Sequence, residues 1–163
     1  MKTITLEYIL THKFEKTGFE DLNSERHNTS GMFTKAQLSG LPGTDVDNML
    51  KLKSRMADIY YEKNISTAKF EADTNIKYNS FNKSINAPAG TRRISRPMLA
   101  KFVVGLKLPL DVANELFSLE SYPLSPDTVL LDAIVFHCIE NNYGIDELFE
   151  TAEQVGYDIK MIV

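Results

Sequence analysis

From Lys77 to Lys107 the chain carries seven lysines and arginines and no acid, a run of +7 in a protein whose formal net charge is −4. Within it Lys77, Tyr78, Asn79, Asn82 and Lys83 fall at spacings that put them on one side of a helix, opposite Ile76 and Phe81. Carboxamides, a phenol and ammonium groups on one face can hydrogen-bond base edges in a DNA groove. Arg92 and Arg93 follow on a loop marked by APAG, and Arg96 lies just beyond. Guanidinium forks suit phosphate oxygens. The competing reading is a solvated cationic face with no partner, its arginines serving solubility.

The charge is unevenly divided. Residues 108–163 hold eleven acids against Lys160 and sum to −10, whereas residues 1–76 sum to −1. A protein that coats nucleic acid by charge alone is strongly basic, so the balance excludes that class and leaves a local basic face.

Other chemistry is sparse. His12, His27 and His137 stand far apart, without His, Cys, Asp or Glu partners at metal-ligand spacing. His137 and Cys138 are adjacent, but neighbouring helix positions point about 100 degrees apart and cannot pair as base and nucleophile. Cys138 reads as a buried structural thiol. One cysteine cannot form an internal disulfide. The glycines are isolated, so no phosphate loop is present, and the acids of the last third read as a solvated face. The expectation is a non-enzyme with no metal and no cofactor.

At 163 residues and 43% hydrophobic the composition suits one globular domain with or without an appendage. No apolar run approaches the ~18 residues of a membrane span, and Met1–Leu10 is too polar for a signal peptide. The expected location is cytoplasmic.

The elements that position the basic face follow from periodicity and punctuation. A helix is predicted from Ile4 to near Gly18 and a short one around Glu20–His27, with Met32–Leu41 irregular and LPGT as boundary. Thr44, Asp45 and Asp47 open a scaffold helix to Lys63, its stripe Val46, Met49, Leu50, Leu52 or Lys53, Met56, Ala57 and Tyr60. Ser66 caps a short helix with Ala68, Phe70 and Ala72 apolar. Asn75 supplies a left-handed turn. The helix from Lys77 buries Ile76, Ser80 and Phe81 or Ile85. Ser95 and Pro97 open a helix over Leu99, Phe102, Val103 and Leu106, which Pro109 ends. Asp111–Leu119 buries Val112, Ala113, Leu116 and Phe117. SPD at Ser125–Asp127 opens a helix to Asn141, and Asp146–Val155 forms the last. No strand is predicted.

Ser66, Phe70, Glu71, Asn75, Ile76 and Phe81 occupy, without a gap, the cap, aliphatic, small, turn and two further aliphatic positions of a known pattern. The stretch resembles the Cro-type, lambda-repressor-like helix-turn-helix family, and RPMLAKFVVGLKLPLDVANELF resembles its closing helices. Glu71 stands where that family has a small residue and Thr67 where it has Gln. The resemblance covers about residues 46–119, less than half the chain.

The resemblance makes residues 44–119 a helix-turn-helix domain within the all-α bundle that the spacings predict, with residues 1–43 a helical appendage and 120–163 a helical extension packed on it. It also implies sequence-specific binding of double-stranded DNA by a bacterial or phage transcriptional regulator. A homodimer would read two half-sites, with the terminal helices and the tail Ile159, Met161, Ile162 and Val163 as its surface. The alternative is a protein-binding module on the same scaffold, meeting a protein partner through the acidic C-terminal region.

Overall fold

The computed structural model describes residues 3–18, 44–88 and 91–158, and among these apolar residues recurring every three to four positions fold into eight helices. These are α1 (Leu6–Thr11), α2 (Thr44–Lys63), α3 (Thr67–Thr74), α4 (Tyr78–Asn86), α5 (Arg96–Gly105), α6 (Leu110–Glu120), α7 (Leu130–Glu140) and α8 (Ile145–Gln154). Among the described residues the only strand-like pairing is one isolated parallel bridge, Lys16 to Val129. The fold is all-α, as expected.

The scaffold helix α2 buries Met49, Leu52, Lys53, Met56, Ile59 and Tyr60, a clean three-and-four repeat. Val46 and Leu50, placed in the stripe by the sequence, are about half exposed. Leu50 lies one position off the repeat, whereas Val46 lies on it, three positions before Met49 in the first turn of α2. α2 packs against α6 and α4, α3 and α6 flank α5, and α7 and α8 close over the other side of α5. One continuous core runs from Met49 to Tyr157 and includes Phe70, Phe81, Phe102 and Phe117, each fully buried.

α5 is the hub. Ser95 caps it by accepting the Met98 N–H at 3.2 Å, and Pro97 sits in its first turn, where no amide is needed. It ends at Gly105, against the last turn of α3. A Cβ there would lie 2.4 Å from the Asp73 carbonyl oxygen and 2.7 Å from the Thr74 Cα, so only glycine permits this approach. Pro109 lies beyond the end of α5 and is the N-cap of α6.

Two predicted helices are shorter than their patterns. The N-terminal one stops at Thr11, and the chain then runs without helix to Gly18, with bends at His12 and Glu15. Ser125–Thr128 makes a single turn, with the Thr128 and Val129 N–H groups both on the Ser125 carbonyl, and α7 opens only at Leu130. The two departures have one cause. The Lys16 and Thr17 carbonyls accept the Leu130 and Leu131 N–H groups at 2.9 and 3.0 Å, satisfying the start of α7 from a distant segment. Ile4, at the head of that segment, donates its N–H to Glu140 and accepts from His137 Nδ1, each at 2.8 Å. The helix predicted at Glu20–His27, the irregular stretch Met32–Leu41 and the apolar tail from Ile159 lie outside the described residues.

Candidate nucleic-acid interface

The basic, amide-rich stretch is presented by α3, a tight turn and α4. Ser66 Oγ accepts the Lys69 N–H at 3.1 Å, the capping bond its position predicted. α3 buries Phe70 and Thr74, not Ala68 and Ala72, which are exposed. The Thr74 hydroxyl donates to the Phe70 carbonyl at 2.7 Å and accepts the Ile76 N–H at 3.2 Å, and so bridges the corner. Asn75 is left-handed, with φ 55 and ψ 31. Ile76 is buried beneath the turn.

Lys77, the N-cap of α4, has no oxygen with which to cap it. Glu71 does this instead: its Oε2 accepts the Tyr78 N–H at 2.8 Å. A carboxylate at the positive end of a helix is favourable, so the residue that departs from the family's small position has a task of its own. Two buried lysines hold the rest of the unit. Lys101 Nζ donates to the Asn75 carbonyl at 3.1 Å, and Lys53 Nζ donates to the Ala87 and Pro88 carbonyls at 3.0 and 3.5 Å. Burial pushes both ammonium groups below the ordinary lysine value, with Arg92 adding to the effect on Lys53. The turn before α4 and the chain leaving it are thus each held by a cation that α5 or α2 supplies.

One side of α4 is pinned by rings. Phe81 lies 4.8 Å from Phe70, 5.6 Å from Tyr60 and 5.6 Å from Phe102, between ring centroids. Tyr78, expected on the outer face, is half-buried at the edge of this group, 5.6 Å from Tyr60. It is a packing residue in its ring. Ser80, expected inward, is exposed. The opposite side carries Asn79, Asn82 and Lys83, all exposed, and Asn86 completes the same stripe one turn on. Sequence reasoning left Asn86 out, although its i+4 relation to Asn82 was legible.

Arg92 and Arg93 are exposed on the loop between α4 and α5. Arg93 Nη2 donates to the Glu120 carbonyl at 3.3 Å, which steadies one arginine of the pair. Arg96 does not join them. It is 3% exposed and donates from Nε and Nη2 to the two Asp132 oxygens at 2.9 and 2.6 Å, and from Nη1 to Glu120 Oε1 at 2.7 Å. Its guanidinium also stacks 3.7 Å over the Tyr122 ring. Burial opposes its charge, but the hydrogen bond and charge of Asp132 with Tyr122 and Glu120 raise its pKa above the arginine value. An arginine so enclosed cannot reach a phosphate. Its expected place in the interface is corrected to an internal tie between α5, α6 and α7.

Among the described residues the remaining reactive types are occupied structurally, and His27 lies outside them. His12 Nε2 donates to the Asp127 carbonyl at 2.7 Å, and His137 is spent on Ile4. Cys138 is fully buried, and burial pushes its thiol up to about 12. The native protein is therefore expected to react with a thiol reagent such as Ellman's at pH 8 only as fast as it opens, since the thiolate is the nucleophile. Rapid labelling without denaturant would contradict the burial. No helix among the described residues is long and apolar enough to cross a membrane. No family model, curated protein or solved structure matches the chain.

Proposed function

We propose that the protein binds double-stranded DNA sequence-specifically through α4, as a bacterial or phage-type transcriptional regulator. The observation that carries this reading is the outer stripe of α4: Asn79, Asn82, Lys83 and Asn86 are exposed while Phe81 locks the other side of the helix in the core. A helix so fixed enters a major groove as a rigid unit. Lys77 at the start of the helix and Arg92 and Arg93 on the loop that follows it, all exposed, would meet the phosphates. Such a helix reads only a few base pairs, so a homodimer on two half-sites goes with the proposal, as does a cytoplasmic location.

The two kinds of interaction should fail differently in gel-shift titrations at several salt concentrations. Arg92→Ala with Arg93→Ala is expected to weaken binding alike for all sequences, and to flatten the log-log salt slope by about 0.9 for each phosphate no longer neutralised. Asn79→Ala is expected to cost about 1–3 kcal/mol at the preferred site and to leave non-specific binding nearly unchanged. The same titrations should give two chains per preferred site. If both sets of substitutions leave DNA affinity untouched, the reading fails.

The second reading, a protein-binding module, has its support in α8. Asp146, Glu150 and Glu153 share one exposed face there. Loss of a protein partner on replacing these acids, with no DNA binding by the parent chain, would favour it.

A further inference from the structure

Asn86 Nδ2 lies 2.9 Å from the Asn82 backbone oxygen and 2.8 Å from the end of the Asn82 side chain. A backbone carbonyl can only accept, so the Asn86 atom at that position has to be the amide nitrogen. The Asn82 atom facing the same nitrogen has to be its side-chain oxygen. Chemistry therefore fixes both carboxamides. Asn82 Oδ1 is turned along the helix toward Asn86, and its Nδ2, with two protons, has no partner among the described residues.

A free asparagine reads adenine with both ends of its amide, accepting from N6 and donating to N7. Asn82 has one lone pair of its oxygen taken by Asn86 and that oxygen turned along the helix. What it offers outward is a donor, and its neighbour Lys83 offers donors only. Guanine shows two acceptors, O6 and N7, to the major groove, whereas adenine would set its N6 donor against these donors. Asn79, one turn earlier, makes no bond of this kind with the described residues and keeps a free fork.

Resting on the reading of α4 as a groove helix, we propose that Asn86 is a positioning residue that sets the base read by Asn82. By holding the Asn82 oxygen it turns the amide donor outward, so that Asn82 and Lys83 select guanine while Asn79 selects adenine.

The test is enrichment from a pool of randomised duplexes by the full chain and by Asn82→Ala and Asn86→Ala. Alanine favours a helix more than asparagine does, and position 86 is exposed, so the second variant keeps the fold, which circular dichroism verifies. The parent chain is expected to enrich guanine at one position whose preference vanishes in Asn82→Ala. In Asn86→Ala adenine should gain on guanine at that position by about two- to tenfold, the worth of one neutral hydrogen bond. Adenine preferred there by the parent chain, or an unchanged preference in Asn86→Ala, overturns this inference and leaves DNA binding standing. If the parent chain enriches no sequence, the DNA reading falls and the inference falls with it.

Discussion

Arg96→Ala is expected to lower stability by about 3–5 kcal/mol in urea unfolding, because it strands the Asp132 carboxylate in the core. Asp132 is fully buried, and beyond Arg96 it accepts the Ser125 N–H at 2.9 Å. A lone amide does not replace a guanidinium that bonds both oxygens. Arg96→Lys should recover only part of the loss, since an ammonium cannot span both oxygens of the carboxylate and stacks less well on Tyr122. Replacing both partners together, Arg96→Met with Asp132→Leu, should destabilise less than Arg96→Ala alone, as no charge is then left unpaired. A loss under about 1 kcal/mol for Arg96→Ala would show that water reaches the site and screens Asp132.

Phe81→Ala is expected to cost about 3–5 kcal/mol, by reduced burial and by the cavity left among Tyr60, Phe70 and Phe102. Phe81→Leu should cost markedly less. On the proposed function the alanine variant carries a second effect. Phe81 is the fully buried side chain of α4 and helps to orient the stripe of Asn79, Asn82 and Lys83, so at temperatures where the variant is still folded its site preference should drop more than its non-specific affinity. Denaturant titration and competition gel shifts on the same preparation separate the two effects. Equal falls in specific and non-specific binding would mean that α4 is held without Phe81.

Much of the fold could be read from local pattern alone. Five helices were expected between Asp45 and Leu119 and five are found, because caps such as Ser66 and Ser95 and the left-handed Asn75 act within a few residues of themselves. Failures came where a distant segment decided the outcome. Ser-Pro-Asp is a helix opening by its own chemistry, yet the Lys16 and Thr17 carbonyls, more than a hundred positions away, start the helix at Leu130. Arg96 failed in the same way. Its type and its basic neighbours suggested phosphate, and only the fold reveals Asp132 beneath it. Lys53 was offered only as an alternative to Leu52 in the inner stripe and Lys101 not at all, since their carbonyl partners lie 34 and 26 positions away. On α4 the alternation of inner and outer residues was legible, apart from Tyr78 and Ser80. Tyr78 is drawn inward by Tyr60, an aromatic partner on another helix.

The pairing of residues 3–18 with α7 has a consequence for the order of events in folding. Ile4 is bonded to Glu140 across 136 positions, while the bonds that hold α3 and α4 span a few tens. Closing so long a loop gives its entropic return late, after nearer pairings have formed. On a ribosome the imbalance is sharper, for the early segment emerges with its backbone unpaired and must wait until α7 has been made. The α2–α6 unit can gather first, and the N-terminal segment then closes on α7 like a clasp. Such a late pairing acts on the rate of unfolding and leaves the rate of folding almost unchanged.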